Sequence, residues 1–334
     1  MPRTLVIRLS SLGDVAISIP LMYSVAQAYP NEEFLMITKP PFQEIFLDKP
    51  SNLEIIPVYT KTKHKGLVGL WRLIGEIGEI DQVADLHQVI RSIGICLYYR
   101  IKGKKVVQID KERKGKKALT KRISGDRKNL KTSLERYHTV FRKLGFDFEI
   151  QFQSLFPGKR TSKEKYRIGI APFAKHKGKI YPLEKMEKVI ELLSQEENME
   201  ILLFGGKKEQ EDLLEWEKKY PNTQSLAGKT NFREELQIIN QLDLMISMDS
   251  ANMHLAALTA TPVISIWGAT HPSAGFYPYQ QDIALAIQTD LDCRPCSVFG
   301  DKECFRKDYC CLHSINPSNV VRKTLDFLTF RPNN

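Results

Sequence analysis

Residues 4–28 read TLVIRLSSLGDVAISIPLMYSVAQA, and this stretch decides the fold class. Its first part, from Thr4 to Leu9, is a short apolar run that predicts a strand. A polar turn from Ser10 to Asp14 follows, and the apolar segment from Val15 to Ala28 predicts a helix. A strand that leads through a tight turn into a helix is the unit from which parallel α/β sheets are built.

The same alternation continues along most of the chain. Strands are predicted at 4–9, 33–38, 54–58, 82–86 and 105–109, and again at 167–171, 200–204, 223–226, 244–248 and 263–267. Helices are predicted at 15–28, 41–47, 67–77, 89–99 and 133–144, and again at 183–193, 210–219, 232–241, 252–258 and 317–328. A polar, aperiodic stretch at 156–165 predicts a linker between the two series. We therefore expect an α/β protein with two Rossmann-like, doubly wound domains facing a central cleft. Their ranges would be 1–160 and 161–316, and residues 317–334 would form a helix that packs back on the first domain.

The composition is that of a folded globular protein. Of the 334 residues, 42% are hydrophobic and 26% are charged, which argues against a disordered, collagen-like or disulfide-dense chain. The longest apolar stretches are broken by polar residues well short of the roughly 20 residues that a membrane-spanning helix needs. The first residues show no leader pattern, so we expect a cytoplasmic protein. In that compartment the six cysteines are expected to be thiols or metal ligands rather than disulfides.

The net charge of +10 is concentrated in one segment, from Arg100 to Lys131. This segment holds fourteen lysines and arginines against three acidic residues, a net charge of +11. Such a basic segment predicts a polyanionic partner, namely nucleic acid, anionic lipid head groups or a phosphorylated substrate. The alternative is a solvated loop without a partner.

The first candidate site is the turn after the first strand, where Ser11, Gly13 and Asp14 lie. Gly13 permits a close approach of the backbone to a ligand, and Asp14 would face the crevice above the sheet. The alternative is that Ser11 and Asp14 only cap the following helix. The chain contains no Gly-x-Gly-x-x-Gly and no P-loop sequence, which weakens a dinucleotide-binding or NTPase interpretation.

The second candidate site follows three strands of the second half. Asp249 and Ser250 open an alanine-rich helix that carries His254 one turn further on. Such a helix start offers free backbone N–H groups to an anion, although a buried histidine bonded to the backbone is the plainer reading of His254. Lys179 would bring a cation to the same crevice, and the glycine turn before Glu209 would bring backbone close to a ligand.

The cysteines cluster near the end of the chain. Cys293, Cys296, Cys304 and Cys311 could hold a structural zinc ion, although their spacing differs from that of common zinc ribbons. Reduced packing thiols, a disulfide or a redox pair are the alternatives. Asp290 and Asp292 form a short Asp-x-Asp pattern, which recurs by chance.

Together these stretches resemble the lipopolysaccharide heptosyltransferase family, whose members are inverting GT-B enzymes that use nucleotide sugars. The resemblance covers most of the chain and rests on residues 8–14, 85–92, 179–182, 205–209, 249–257 and 268–272 and on the terminal cysteines. It implies that the first domain binds the acceptor and the second binds the donor. One departure is Ala251, which stands where many members have glycine and leaves the exact donor open.

The resemblance also implies roles for individual residues. Asp14 corresponds to the catalytic base, Lys179 to a residue on the donor diphosphate and Glu209 to one on the nucleoside. The donor diphosphate-sugar is assigned to Asp249, Ser250, Ala251 and His254. Ser11, Gly13 and Arg91, which lie in the matching stretches, are expected to bind the acceptor. Lys114, Lys116 and Lys117 are expected to bind it because the charge of the basic segment fits an anionic acceptor.

The implied reaction transfers heptose from ADP-heptose to the inner core of an anionic, lipid A-linked saccharide. It would need no cofactor, and the protein would contact the anionic cytoplasmic face of the inner membrane peripherally. One alternative is a GT-B enzyme that uses another nucleotide sugar in cell-envelope polysaccharide synthesis. The other is a basic RNA-binding protein, but the basic segment lacks the interleaved aromatic residues that stack on bases, so no nucleic-acid partner is expected.

Overall fold

A computed structural model describes residues 1–121, 128–158 and 165–330. The chain divides into two compact units. The first contains Met1–Lys111 and Lys131–Leu155, and the second contains Glu112–Leu130 and Phe156–Asn334. The expected domain boundary at 160/161, part of the linker, three charged residues of the basic segment (Arg122, Asp126 and Arg127) and the last four residues of the expected terminal segment lie outside the described residues.

The first unit is built on a parallel sheet of five strands within the described residues, in the order β3-β2-β1-β4-β5. The strands are β1 (Arg3–Ile7), β2 (Glu33–Thr38), β3 (Leu53–Pro57), β4 (Gln82–Asp85) and β5 (Lys105–Gln108). The helices are α1 (Leu12–Ala28), α2 (Gly66–Ile77), α3 (Ile90–Ile101) and α5 (Ser133–Leu144). Between α3 and α5 the chain forms α4 (Arg113–Leu119), which belongs to the second unit. The order of the strands reverses between β1 and β4, and the loops that follow these two strands meet at the carboxyl edge of the sheet.

The second unit contains a parallel sheet of six strands among its described residues, in the order β11-β10-β9-β6-β7-β8. The strands are β6 (Tyr166–Ala171), β7 (Met199–Leu203), β8 (Thr223–Ser225), β9 (Leu244–Met248), β10 (Val263–Trp267) and β11 (Ala286–Gln288). The helices are α4 (Arg113–Leu119), α6 (Leu183–Ser194), α7 (Gln210–Lys219), α8 (Phe232–Asn240), α9 (Ala251–Leu258), α10 (Cys310–His313) and α11 (Pro317–Thr329). Its switch point lies between β6 and β9.

Burial explains why these segments form their elements. Leu5, Val6 and Ile7 of β1 and the residues of β9 are completely buried, as expected for central strands covered on both faces. Helix α1 is buried almost all round from Gly13 to Ala26, which matches its nearly unbroken apolar sequence. The expected strands and helices are found with ends shifted by a few residues, except that residues 41–47 form only a short 3-10 helix at Phe42–Ile45.

Four other segments differ from the expectation. Residues 113–119 of the basic segment form α4, whose contacts assign it to the second unit. The short edge strand β11 and helix α10 carried no recognisable pattern. Helix α11 packs on α6, and its Val320 and Leu328 are buried in the core of the second unit; the sequence had assigned this helix to the first domain.

Among the residues that the structure describes, no helix is both long enough and apolar enough to cross a membrane.

Candidate active site

An ion pair between Arg8 and Asp14 lies at the carboxyl end of β1. Nη2 of Arg8 is 2.6 Å from Oδ2 of Asp14. The same Oδ2 accepts hydrogen bonds from the backbone N–H of Ser11 at 3.1 Å and from its hydroxyl at 2.7 Å. Within the described residues, every polar contact of this carboxylate falls on Oδ2, and the side chain is 22% exposed. Oδ1 therefore remains available to a ligand.

The charge of Asp14 is fixed by these contacts. Burial alone would raise the pKa of this carboxyl, but the Arg8 guanidinium and the hydrogen bonds from Ser11 outweigh burial, so the pKa lies below its usual value. Asp14 does cap α1 through the Ser11 N–H, as one interpretation of the sequence held. A cap alone does not require a buried arginine, so the Arg8 contact points to a further role.

Arg8 is held in place by the loop after β4. Its Nη1 donates to the backbone carbonyl of Leu86 at 2.7 Å, and its guanidinium lies 5.6 Å from the centre of the Tyr137 ring. That loop is shaped by Asp85, a completely buried carboxylate that accepts hydrogen bonds from the backbone N–H groups of His87 and Gln88. The sequence predicted a role for Asp14 but none for the buried Arg8 beside it.

His87 belongs to the same cluster and is neutral at pH 7. Its Nδ1 accepts a hydrogen bond from the backbone N–H of Leu9 at 3.3 Å. Burial, with a smaller contribution from the Arg8 charge, lowers the pKa of His87 to about 4. The two loops at the switch point are thus joined through an unprotonated imidazole nitrogen.

This low pKa predicts a pH effect on stability. Between pH 6.5 and pH 4 the unfolded chain binds a proton at this histidine that the folded chain does not bind. Lowering the pH across this window is therefore expected to reduce the free energy of unfolding by about 3 kcal/mol through His87 alone. Urea unfolding of wild type and His87→Asn at several pH values measures this contribution as the difference between the two curves.

Asparagine is a suitable replacement because its amide oxygen can accept the Leu9 N–H but does not titrate. The free energy of unfolding of the variant should therefore fall less between pH 6.5 and pH 4. If both proteins lose stability equally over this window, His87 is not held neutral by the fold.

In the second unit, Lys179 and Asp249 connect the two strands at the switch point. Lys179 follows β6, Asp249 follows β9, and the Lys179 Nζ lies 3.0 Å from Oδ2 of Asp249. The side chain of Asp249 is 5% exposed and that of Lys179 is 17% exposed. A charge pair this deeply placed at the carboxyl edge of a parallel sheet is in the position where α/β folds bind ligands.

Helix α9 begins directly beside this pair. Ser250 precedes the helix, Ala251 is its first residue, and the Ser250 hydroxyl lies 3.2 Å from the hydroxyl of Ser247. The first backbone N–H groups of a helix have no partner within the helix and attract anions. His254 lies one turn further on and is 7% exposed, so Asp249, Ser250, Ala251 and His254 all lie between the end of β9 and the second turn of α9.

Glu209 lies at the end of the turn that follows β7. Strand β7 is the neighbour of β6 in the sheet. A Cβ added to Gly206 would lie 2.9 Å from Oε2 of Glu209, and one added to Gly205 would lie 2.6 Å from the Leu213 side chain. The backbone here passes so close to Glu209 and to α7 that a side chain would require a shift. The Glu209 carboxylate thus follows β7, and Lys179 follows the neighbouring strand β6.

Two groups that position Lys179 were missed in the sequence. A Cβ on Gly300 would collide with the stem of Lys179, and this glycine has a φ of 74°. Arg294 is 2% exposed and donates to the carbonyls of Trp267, Gly268 and Thr270, which fixes the loop after β10. That loop in turn holds the turn before Lys179, because the Ala269 N–H donates to the Gly178 carbonyl at 2.8 Å. The only sequence signals were a glycine and an arginine in an irregular stretch.

The expected acceptor residues are divided between the two units. Ser11 contacts Asp14, whereas Gly13 is buried in the first turn of α1. Arg91 donates from Nη1 to the backbone carbonyl of His64 at 2.5 Å. The three lysines Lys114, Lys116 and Lys117 lie on α4 in the second unit, where the Nζ of Lys116 is 5.0 Å from the centre of the Phe276 ring.

The cysteines are free thiols, and no metal centre is apparent among the described residues. Across residues 1–121, 128–158 and 165–330, no group of three or more His, Cys, Asp or Glu side chains is arranged to hold a metal ion. The zinc hypothesis for Cys293, Cys296, Cys304 and Cys311 thus finds no ligand set. Burial raises the pKa of Cys296 and raises that of Cys311 to about 11, so both remain protonated thiols at neutral pH.

Two doubly wound units, each with a polar cluster at its switch point, fit the GT-B fold of glycosyltransferases. The family model described as glycosyltransferase family 9 (heptosyltransferase) matches residues 70–305. The chain belongs to this family, and it is a glycosyltransferase of the heptosyltransferase type.

Individual relatives agree with this assignment over nearly the full chain. A Campylobacter jejuni protein named lipooligosaccharide heptosyltransferase 2 is 26% identical over 319 residues, which are 93% of this chain and 95% of that protein. A crystal structure of a glycosyl transferase family 9 protein from Veillonella parvula shares 19% identity and a TM-score of 0.76, with 98% and 97% of the two chains covered. E. coli heptosyltransferase WaaC with ADP shares 19% identity and a TM-score of 0.68, with 97% and 99% covered. The two structures share the fold of this chain.

Proposed function

We propose that this protein transfers heptose from ADP-heptose to the inner core of a lipid A-linked saccharide, with inversion at the anomeric carbon. The observation that carries the proposal is that each unit has a polar cluster at its switch point, and that the two clusters differ in charge. The first unit presents a carboxylate with one unengaged oxygen, and the second presents a lysine beside a helix start. Names of relatives, such as lipooligosaccharide heptosyltransferase 2 and a WaaC structure with ADP, support heptose as the sugar and ADP as the carrier.

Asp14 is the proposed general base. Oδ2 is occupied by Arg8 and Ser11, so Oδ1 would accept the proton of the acceptor hydroxyl as its oxygen attacks the anomeric carbon. The lowered pKa keeps the carboxylate ionised throughout the neutral range. Arg8 holds the carboxylate in one orientation, which fixes the position of Oδ1 for the proton transfer.

Lys179 and the start of α9 are proposed to hold the donor diphosphate. The leaving ADP gains negative charge as the glycosidic bond breaks, and a fixed ammonium and unpaired helix N–H groups stabilise that charge. Asp249 keeps the ammonium in position from the buried side. Glu209, on the neighbouring strand, is proposed to bind the nucleoside, and His254 and Ser250 the diphosphate-sugar. The methyl group of Ala251 would narrow the space at the first helical N–H.

The acceptor is proposed to be anionic and to be reached at the cytoplasmic face of the inner membrane. Ser11, beside Asp14, and Arg91, near the start of α3, are proposed to contact the acceptor. Gly13 is proposed to keep the first turn of α1 narrow enough for the acceptor to approach. The exposed Lys114 and Lys117 are proposed to attract its phosphates and carboxylates, with Lys116 held among aromatic rings beside them. The excess of positive charge in this part of the chain supports this assignment.

One incubation tests the proposal directly. Purified protein is mixed with ADP-heptose and a heptose-free lipopolysaccharide acceptor, and mass spectrometry is expected to find the acceptor heavier by one heptose unit. ADP, UDP and GDP are compared in a thermal-shift assay, in which ADP should stabilise most. No added heptose, together with stabilisation by UDP or GDP, would assign the enzyme another nucleotide sugar.

A further inference from the structure

Two helices of the first unit carry apolar side chains on their outer surfaces. On α2, Leu67, Val68 and Trp71 are 77%, 76% and 62% exposed. On α3 an outward row at spacings of three and four residues is formed by Ile90, Ile93, Leu97 and Ile101, with exposures of 91%, 46%, 55% and 76%. Half of the fourteen large hydrophobic side chains exposed in the described chain lie on these two helices. We call these seven residues the α2–α3 apolar face.

The fold itself does not account for this face. The inner sides of the same helices already supply the core, through buried residues such as Leu73 and Ile77 of α2 and Ile95 and Tyr99 of α3. A surface helix normally places polar residues opposite its buried side. A second apolar row on the outer side therefore marks a surface that binds something.

The two helices that carry the face contact each other and share one buried anchor residue. The rings of Trp71 and Tyr98 meet edge to face with centroids 5.6 Å apart, which joins the two helices at the surface. Beneath them, His64 is completely buried, with its Nε2 3.2 Å from Oε2 of Glu76 on α2. The Arg91 guanidinium of α3 binds the His64 carbonyl. Both helices are thus fixed through the same residue.

Cations flank the residues of the apolar face along the chain. Three exposed lysines (Lys61, Lys63 and Lys65) precede α2, Arg72 follows Trp71, and Arg100 and Lys102 end α3. The acidic residue of α2, Glu76, is paired with Lys63 at 2.8 Å, and the exposed Glu79 follows the helix. Apolar side chains that include tryptophan, ringed by lysine and arginine, are typical of helices that lie in the interface of an anionic membrane. Two copies of this face would repel each other by charge, which argues against a homodimer here.

We propose that the α2–α3 apolar face inserts into the interface of an anionic lipid bilayer and that the surrounding cations bind the lipid head groups. Leu67, Trp71 and Leu97 are the anchoring side chains. The membrane contact is thereby assigned to the first unit, and not to the basic helix α4. The binding needs no substrate, so its failure would leave the proposed transfer reaction standing.

Vesicle flotation tests the proposal with paired variants. Wild type should float with vesicles of phosphatidylglycerol and phosphatidylcholine, and much less with phosphatidylcholine alone. Trp71→Ser/Leu97→Ser should weaken partitioning by about tenfold or more, since each loses a large apolar anchor. The matched control is Ile283→Ser/Phe330→Ser, which removes two exposed apolar side chains from the second unit and should float like wild type.

A second pair separates the cations of this face from those of α4. Lys61→Gln/Lys65→Gln should weaken binding to the anionic vesicles by about tenfold, whereas Lys114→Gln/Lys117→Gln should leave it near wild type. The reverse result would move the membrane contact to α4 and overturn the proposal. Concentration-dependent dimerisation that is lost in Trp71→Ser/Leu97→Ser, without vesicle binding in wild type, would overturn it in favour of a second copy.

Tryptophan fluorescence provides a readout that does not depend on folding of the double variant. Of the three tryptophans in the chain, Trp216 and Trp267 are buried, at 5% and 0% exposure, and Trp71 is exposed. Anionic vesicles should therefore shift the emission to the blue, and brominated lipids should quench it. Trp71→Phe should float normally but lose both signals. An emission spectrum of wild type that vesicles leave unchanged would contradict insertion.

Discussion

Asp14→Asn is expected to lower the rate of heptosyl transfer by about 10²–10⁴-fold while ADP binds nearly as tightly as to wild type. The amide retains an oxygen that can accept from Ser11, but it cannot take the proton of the acceptor hydroxyl. Donor contacts are proposed to lie in the second unit, so the nucleotide should not sense the change. Single-turnover transfer and ADP titration measure the two quantities separately.

Ser11→Ala is the matched control for this substitution. It removes a hydrogen bond to Oδ2 of Asp14 but leaves the carboxylate and its Arg8 partner in place. Its transfer rate at saturating acceptor should therefore fall far less than that of Asp14→Asn, and loss of the proposed acceptor contact should change only the acceptor KM. Because Arg8 loses a buried anion in Asp14→Asn, thermal unfolding with and without ADP must show a folded, nucleotide-binding protein. Near-wild-type turnover by folded Asp14→Asn would return Asp14 to the role of a helix cap.

The two sheets were predictable because their strands are short, apolar and separated by helical periodicity. Strands such as Leu244–Met248 and Val263–Trp267 are found with the expected ends, since a central parallel strand buries both faces and reads as a continuous apolar run. The edge strand β11 has three residues and too little pattern to be recognised. Several other strands begin or end one or two residues from the predicted position. The last backbone hydrogen bond of a strand depends on its neighbour and not on the side-chain pattern.

The sequence predicted which loops carry the candidate site, but not which side chains contact each other there. Asp14, Lys179 and Asp249 could be chosen because each follows a strand, and the carboxyl ends of parallel strands share one edge. Which side chains meet there depends on strand order, and strand order is not written in local pattern. The contact of Lys179 with Asp249 could therefore not be predicted without knowing that β6 and β9 are neighbours in the sheet.

Long-range packing also decided the two segments that the sequence assigned differently. Helix α11 has an amphipathic pattern that fits any apolar surface, and the surface it covers is α6. In α4, the charge predicted a polyanionic partner or, alternatively, a solvated loop, whereas the place of the helix depends on the buried Leu119 and on Lys116 lying over Phe276. Charge patterns predict what a segment attracts, whereas a few apolar or aromatic contacts decide where it packs.

Lys179→Ala is expected to weaken ADP binding clearly and to slow transfer by about 10²-fold, since each fixed group on a developing charge contributes on that order. The ammonium is set by Asp249 at 3.0 Å and by the close passage of Gly300 along its stem. Both contacts fix the charge before the donor arrives, which is what stabilises a leaving diphosphate most effectively. Isothermal titration with ADP and steady-state transfer rates measure the effect.

Lys175→Ala is the matched control, since it removes an exposed lysine from the same loop and should leave both quantities near wild type. Removal of Lys179 leaves Asp249 as a buried carboxylate without its cation, so Lys179→Arg is compared as a variant that keeps the charge. Arginine should preserve ADP binding better than alanine and still transfer slowly, because its longer fork displaces the positive charge from the diphosphate. The wild-type rate should be unchanged by EDTA if the protein supplies this charge. Strict dependence on added Mg²⁺ or Mn²⁺, with Lys179→Ala close to wild type, would transfer the role from Lys179 to a metal ion.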